Sequence, residues 1–139
     1  MNLPTAQSSG HTLLVISSDR ANMQLMTQLL AMRSDFLVLT ATNGLDGIQL
    51  AMVIQPAAVV MDTGLSDTCA EAVLKILKEH TRTSMIPVIA VSSDAQASQV
   101  LAGLKVGFYR YLTKPYKLLN LLEAVDDALG YSLGISVVS

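Results

Sequence analysis

The chain has 139 residues, a formal charge of -2, 51% hydrophobic residues and only 14% charged ones. That length suits one compact domain with a sizeable core, and charge well below the roughly 25% of ordinary soluble proteins implies a surface rich in Ser, Thr, Gln and Ala. The Lys and Arg residues are scattered and leave no basic footprint for nucleic acid, no apolar run reaches the roughly 18 residues of a membrane span, and the single cysteine, Cys69, excludes an internal disulfide and fits a reducing compartment.

In chain order, Met1–His11 is polar, carries no signal-like hydrophobic stretch, and is expected as a loose lead-in to a cytoplasmic protein. Thr12–Ile16 is a short continuous apolar run, as expected of a strand covered on both faces. Asp19 is placed to cap a helix over Ala21–Met32, where Met23, Met26, Leu29 and Leu30 share one stripe. A second strand spans Phe36–Leu39. A second helix carries Leu45, Ile48, Ala51 and Met52 until Gln55-Pro56 stops it. Ala57–Met61 forms a third strand ending at Asp62, and Ala70–His80 a third helix with Val73, Leu74 and Leu77 inward. Pro87 opens a fourth strand, Val88–Val91, and Asp94 is expected to cap a helix over Ala95–Leu104. Phe108–Leu112 is the expected fifth strand, and Lys117–Leu129 the last helix. Residues 130–139 are expected as a tail or linker, with 12–129 forming the domain.

Five short buried strands alternating with five helices predict an α/β fold, a doubly wound five-stranded parallel sheet of the flavodoxin-like (βα)5 kind. In such a sheet, ligands bind beyond the carboxyl ends of the strands. Ser17-Ser18-Asp19, Thr40–Asn43, Asp62-Thr63-Gly64, Ser92-Ser93-Asp94 and Thr113-Lys114-Pro115 all stand there. A carboxylate, a hydroxyl and an ammonium drawn from three strands suit a phosphoryl group: Asp62 as nucleophile, Ser92 and Lys114 as holders of its oxygens.

Thr12-Leu-Leu-Val-Ile16, Pro56-Ala-Ala-Val-Val-Met-Asp62, Ile86-Pro-Val-Ile-Ala-Val-Ser92 and Tyr111-Leu-Thr-Lys-Pro115 follow one another in the order seen in the receiver domains of two-component signalling. From Thr12 to Leu129 the chain resembles that family. The resemblance implies Asp62 as acceptor of a phosphoryl group from a histidine kinase or phosphotransfer protein. It implies Ser92 and Lys114 as phosphoryl contacts, Tyr111 as the aromatic switch, and a cis bond between Lys114 and Pro115. It further implies Mg²⁺ as cofactor, held by Asp62, the backbone carbonyl of Gly64, and acids directly after the first strand. Here Ser17 and Ser18 stand in place of those acids, leaving Ser18 and Asp19 as the residues nearest the metal positions; a hard cation wants anionic oxygen, for which two hydroxyls are a poor substitute. Asp19 is read as a helix cap, with a swing toward the metal as the alternative. Ser66 replaces a proline usual in the family, and Phe108, Tyr109 and Arg110 precede the switch aromatic, as local packing or as part of a contact surface.

The expectation is a signalling module rather than an enzyme, in one of two forms: a phosphorylatable switch, or a degenerate receiver that works through protein contacts. The missing acids favour the second. A homodimer through the Ala95–Leu129 face is a further expectation, with no direct nucleic acid or membrane binding. A small flavodoxin-like cofactor-binding protein is the alternative, although Ser17-Ser18-Asp19 lacks the glycines of a phosphate loop.

Overall fold

The structure, a computed structural model, describes residues 10–94 and 96–132. The elements are β1 (His11–Ile16), α1 (Arg20–Ala31), β2 (Phe36–Ala41), α2 (Gly44–Ile54), β3 (Ala58–Asp62), α3 (Ala70–Glu79), β4 (Val88–Ser92), α4 (Ala97–Val106), β5 (Arg110–Thr113) and α5 (Leu118–Ser132). The strands form one parallel sheet in the order β2-β1-β3-β4-β5. This is the (βα)5 architecture expected from the alternation of buried strands and amphipathic helices.

The sheet is covered twice, which is why its central strands are apolar without alternation. Leu13, Val15, Val60, Ile89 and Val91 face one core with Met26 and Leu30 of α1 and Leu121, Val125 and Leu129 of α5. Leu14, Ile16, Val59, Met61, Val88 and Ala90 face the other, against Ile48 and Ala51 of α2 and Val73, Leu74 and Leu77 of α3. Gly47 is needed for this fit, because a Cβ there would stand 2.5 Å from Cδ1 of Ile16. Leu45, assigned by its spacing to the inner stripe of α2, is instead 61% exposed, and Gly44 and Gly47 take the buried positions. Among the described residues no helix is long and apolar enough to cross a membrane.

Several ends differ from the sequence expectation. β5 begins at Arg110 rather than Phe108, because α4 closes at Gly107 in a left-handed conformation (φ 120°) and the Phe108 N–H is still bonded to the Gly103 carbonyl, 3.2 Å away. Phe108 is therefore core, not strand. α4 starts at Ala97, two residues later than expected. Asp94 does not cap it directly; its Oδ1 accepts from the Gln96 N–H (3.0 Å) in a turn before the helix. α5 continues through Ser132, so the first residues assigned to a tail are helical. Residues 1–9 of the expected lead-in, Ala95, and 133–139 of the expected tail lie outside the described residues.

Candidate functional site

With β2 and β3 on opposite sides of β1, the chain reverses its direction of travel across the sheet between β1 and β3, and the crevice beyond these strand ends is where such a fold presents a ligand site. Asp62, the last residue of β3, lies there, 4% exposed and paired in register with Val91 of β4. Ser92 follows on β4, opposite Thr113 of β5, and the Lys114 N–H donates to the Ser92 carbonyl at 2.7 Å. The sheet register therefore brings Asp62, Ser92 and Lys114 to adjacent strand ends, as the sequence implied.

The carboxylate of Asp62 is surrounded by donors. Its Oδ1 accepts from the Gly64 N–H at 3.0 Å. Its Oδ2 accepts from the Asn22 amide at 2.7 Å and from the Lys114 ammonium at 3.1 Å. The Ser17 hydroxyl lies 3.2 Å from the same oxygen and shares its proton between it and the Asp19 carbonyl. Burial pushes the Asp62 carboxyl up, but the Gly64 N–H, the Lys114 charge and the Asn22 amide outweigh it and hold the group below the usual carboxylate range.

The remaining polar residues around the crevice are otherwise engaged. Asp19 caps α1, its Oδ1 accepting from the N–H groups of Ala21 (3.0 Å) and Asn22 (3.2 Å). Ser18, also assigned to the metal region, instead ties two loops together. Its hydroxyl donates to the Thr42 carbonyl at 2.9 Å, lies 3.1 Å from the Ser66 hydroxyl, and accepts from the Ser66 N–H. Asp67 accepts from the N–H groups of Gly44 and Leu45 at the start of α2, which holds its carboxyl below the ordinary range and straps the β3–α3 loop to that helix. The Ser92 hydroxyl accepts from the Asp94 N–H at 3.0 Å.

Tyr111 lies half-buried on β5, its ring in the notch left by Gly103 of α4 and edge-on to Phe108, with centroids 6.2 Å apart and planes at 78°. The Lys114–Pro115 peptide is cis. Tyr116, next in the chain, has a buried hydroxyl with no hydrogen-bond partner among the described residues, and burial together with the Asp62 charge raises its pKa. Removing an unsatisfied buried hydroxyl while keeping the ring removes a desolvation cost. Tyr116→Phe is thus expected to stabilise the fold by about 1 kcal/mol in urea denaturation at unchanged slope; a loss of stability would contradict the assignment.

Asn22 does not stand out in the sequence. It stands just before the apolar stripe of α1, 40 positions before Asp62, and only the Asp19 cap, fixing the first turn, aims its amide at the carboxylate. A weak signal exists in the Asp-x-x-Asn spacing at the head of the helix.

The doubly covered parallel sheet and the Asp–Ser–Lys strand ends define a receiver-type signalling module. Residues 13–126 match the response regulator receiver domain family, and the chain belongs to that family. It is 31% identical over 117 residues to protein PilH of Pseudomonas aeruginosa, across 84% of this chain and 96% of that one. A response regulator structure from Chloroflexus aurantiacus superposes with a TM-score of 0.82 at 24% identity, covering 87% of this chain and 98% of the other. The receiver domain of a sensor histidine kinase from Pseudomonas aeruginosa superposes with a TM-score of 0.79 at 20% identity, covering 87% and 98%; that protein has a magnesium ion in its active-site cleft.

The residues of the present chain do not fit such an ion. Mg²⁺ takes oxygen ligands in octahedral array, several of them water, anchored by one or two carboxylates, whereas the one carboxylate at this site, Asp62, is met by an amide NH₂, an ammonium and a hydroxyl. Among the described residues no group of three or more His, Cys, Asp or Glu is placed to hold a metal.

Proposed function

We propose that this receiver domain keeps Asp62 as a permanent ion pair and signals through protein contacts rather than through a cycle of phosphorylation. The observation that carries this reading is the crowding of one oxygen, Oδ2, by Lys114, Asn22 and Ser17. Attack on phosphorus would have to come from Oδ1, which the Gly64 N–H already engages, or displace these donors from Oδ2, and the arriving phosphoryl group brings roughly two negative charges. Lys114 supplies one positive charge and already spends it on Asp62. The roles of Ser92 and Tyr111 in this reading are to fix the β4 and β5 ends, not to follow a phosphoryl group.

Receiver domains work with histidine kinases or phosphotransfer proteins, and such a partner in the cytoplasm is the one proposed here, bound without transfer. The outward surface of α4, β5 and α5 is the proposed output face, where Leu101 and Leu119 are 58% and 69% exposed, and a homodimer through it belongs to the same proposal. No direct contact with nucleic acid or membrane is included.

Intact-protein mass spectrometry after incubation with acetyl phosphate and Mg²⁺ tests this. The expected result is no labile phosphoryl adduct on the wild type. An adduct present in the wild type and missing in Asp62→Asn would overturn the reading and make the domain a working switch.

A further inference from the structure

We infer that Asn22 occupies the functional place of the metal: its amide, with Lys114, makes the Asp62 pocket exclude divalent cations, and a carboxylate at this one position would turn the pocket into a cation site. The inference deepens the proposed function and rests on the same pocket, but it concerns what the pocket binds rather than whether it reacts.

The geometry starts at the head of α1. The Asp19 cap accepts the Asn22 N–H and so holds the first helical turn against the crevice. From there the Asn22 side chain reaches Asp62 Oδ2 with a 2.7 Å hydrogen bond, the shortest of those on the carboxylate. A cation approaching this oxygen would meet the positive edge of an amide and a full ammonium, and it would have to displace both. Its other neighbours would be neutral: the Ser17 hydroxyl, 1% exposed, and the backbone around Gly64. A dehydration-reluctant ion keeps several waters and is anchored by one or two carboxylates, and the single carboxylate at hand already has Oδ2 taken by three donors. Asn22→Asp exchanges a donor for an acceptor anion of the same size at the same distance. Two carboxylates then share one site and repel unless a cation joins them.

Mn²⁺ is the probe, followed by the loss of its free electron-paramagnetic-resonance signal as protein is added. The wild type is expected to show no saturable binding, and Asp62→Asn to behave identically. Asn22→Asp is expected to bind one ion per chain, with affinity tightened by at least about tenfold, since even groups one step removed from a metal's own ligands move its affinity by roughly ten- to a hundredfold. The double variant Asn22→Asp with Asp62→Asn should lose that binding. Should circular dichroism find Asn22→Asp unfolded, Ser17→Asp carries the same expectation at the second donor. Saturable Mn²⁺ binding by the wild type, abolished in Asp62→Asn, would overturn the exclusion. Failure of both folded aspartate variants to bind would overturn the place given to Asn22, while leaving the phosphorylation result, read by mass, to decide the proposed function separately.

Discussion

Replacing Lys114 by Met is expected to destabilise the fold by about 2–3 kcal/mol near neutral pH, and the deficit is expected to shrink as the solution is acidified. The Asp62 side chain is 5% exposed and its ion-pair partner 27% exposed. Breaking a buried pair from one side leaves an uncompensated charge and typically costs about 3–5 kcal/mol. Lys114 is partly solvated, and Asn22 and Gly64 remain as donors, so the cost falls at or just below the bottom of that range. The pH dependence follows from the direction of the Asp62 shift. In the wild type the folded-state pKa is depressed, so its contribution is present above the unfolded value of about 3.9 and lost as pH falls through the folded value. Without the ammonium, burial gains on the remaining hydrogen bonds and the folded-state pKa rises. The two proteins therefore differ most where Asp62 is charged in both and converge where it is protonated in both. Urea denaturation of wild type and variant across this range checks the claim. A deficit independent of pH would place the effect in lost packing of the lysine stem. Asp62→Asn removes the buried charge itself, and its cost should be smaller than that of Lys114→Met.

Gly103→Ala is expected to destabilise by about 1–2 kcal/mol even though alanine is the better helix former. A methyl group on Gly103 would overlap Cδ2 and Cε2 of the Tyr111 ring, which lies directly against the helix backbone. Helix propensity favours the substitution by about 1 kcal/mol, whereas forced overpacking costs about 1–3 kcal/mol. The ring is further confined by its edge-on contact with Phe108, 3% exposed, so the steric term prevails. With no tryptophan in the chain, near-ultraviolet circular dichroism reports Tyr and Phe packing directly, and its loss on substitution is the expected signature. Truncating the ring as well should release the conflict: Gly103→Ala is expected to be less harmful, or favourable, in a Tyr111→Ala background. A single variant that is neutral or stabilised, with its aromatic signal intact, would contradict this packing.

The architecture could be derived from the sequence because its signals are local. Thr12–Ile16, Val88–Val91 and the strand ending in Asp62 are apolar on both sides, which only a doubly covered sheet requires, and the carboxyl-end rule then assigns Asp62, Ser92 and Lys114 to one crevice. Asp19 is recognisable as a cap from its place before a helical stripe. What escapes such a reading depends on contacts between distant segments. The aim of Asn22 follows from the Asp19 cap at the head of α1 and ends on a carboxylate 40 positions away, a pairing no local pattern records. The turn of Ser18 away from Asp62 is set by Thr42 and Ser66. The late start of β5 follows from a glycine conformation that no pattern of hydrophobicity records, and the fit of Tyr111 to Gly103 is one of shape between a strand and a helix. Resemblance to the family points to the positions of the site, while the chemistry proposed for it turns also on Ser17 and Asn22, which no family motif singles out.

The most direct test of that chemistry is the titration of the Asp62 carboxyl by carbon-13 NMR, with the signal assigned by its loss in Asp62→Asn, in the absence and presence of Mg²⁺. A carboxylate held by Lys114, Asn22, Gly64 and Ser17 should titrate below the ordinary aspartate value of about 3.9, with a midpoint that Mg²⁺ leaves unchanged. A midpoint at or above that value, or one that falls when Mg²⁺ is added, would contradict a carboxylate held by the protein alone.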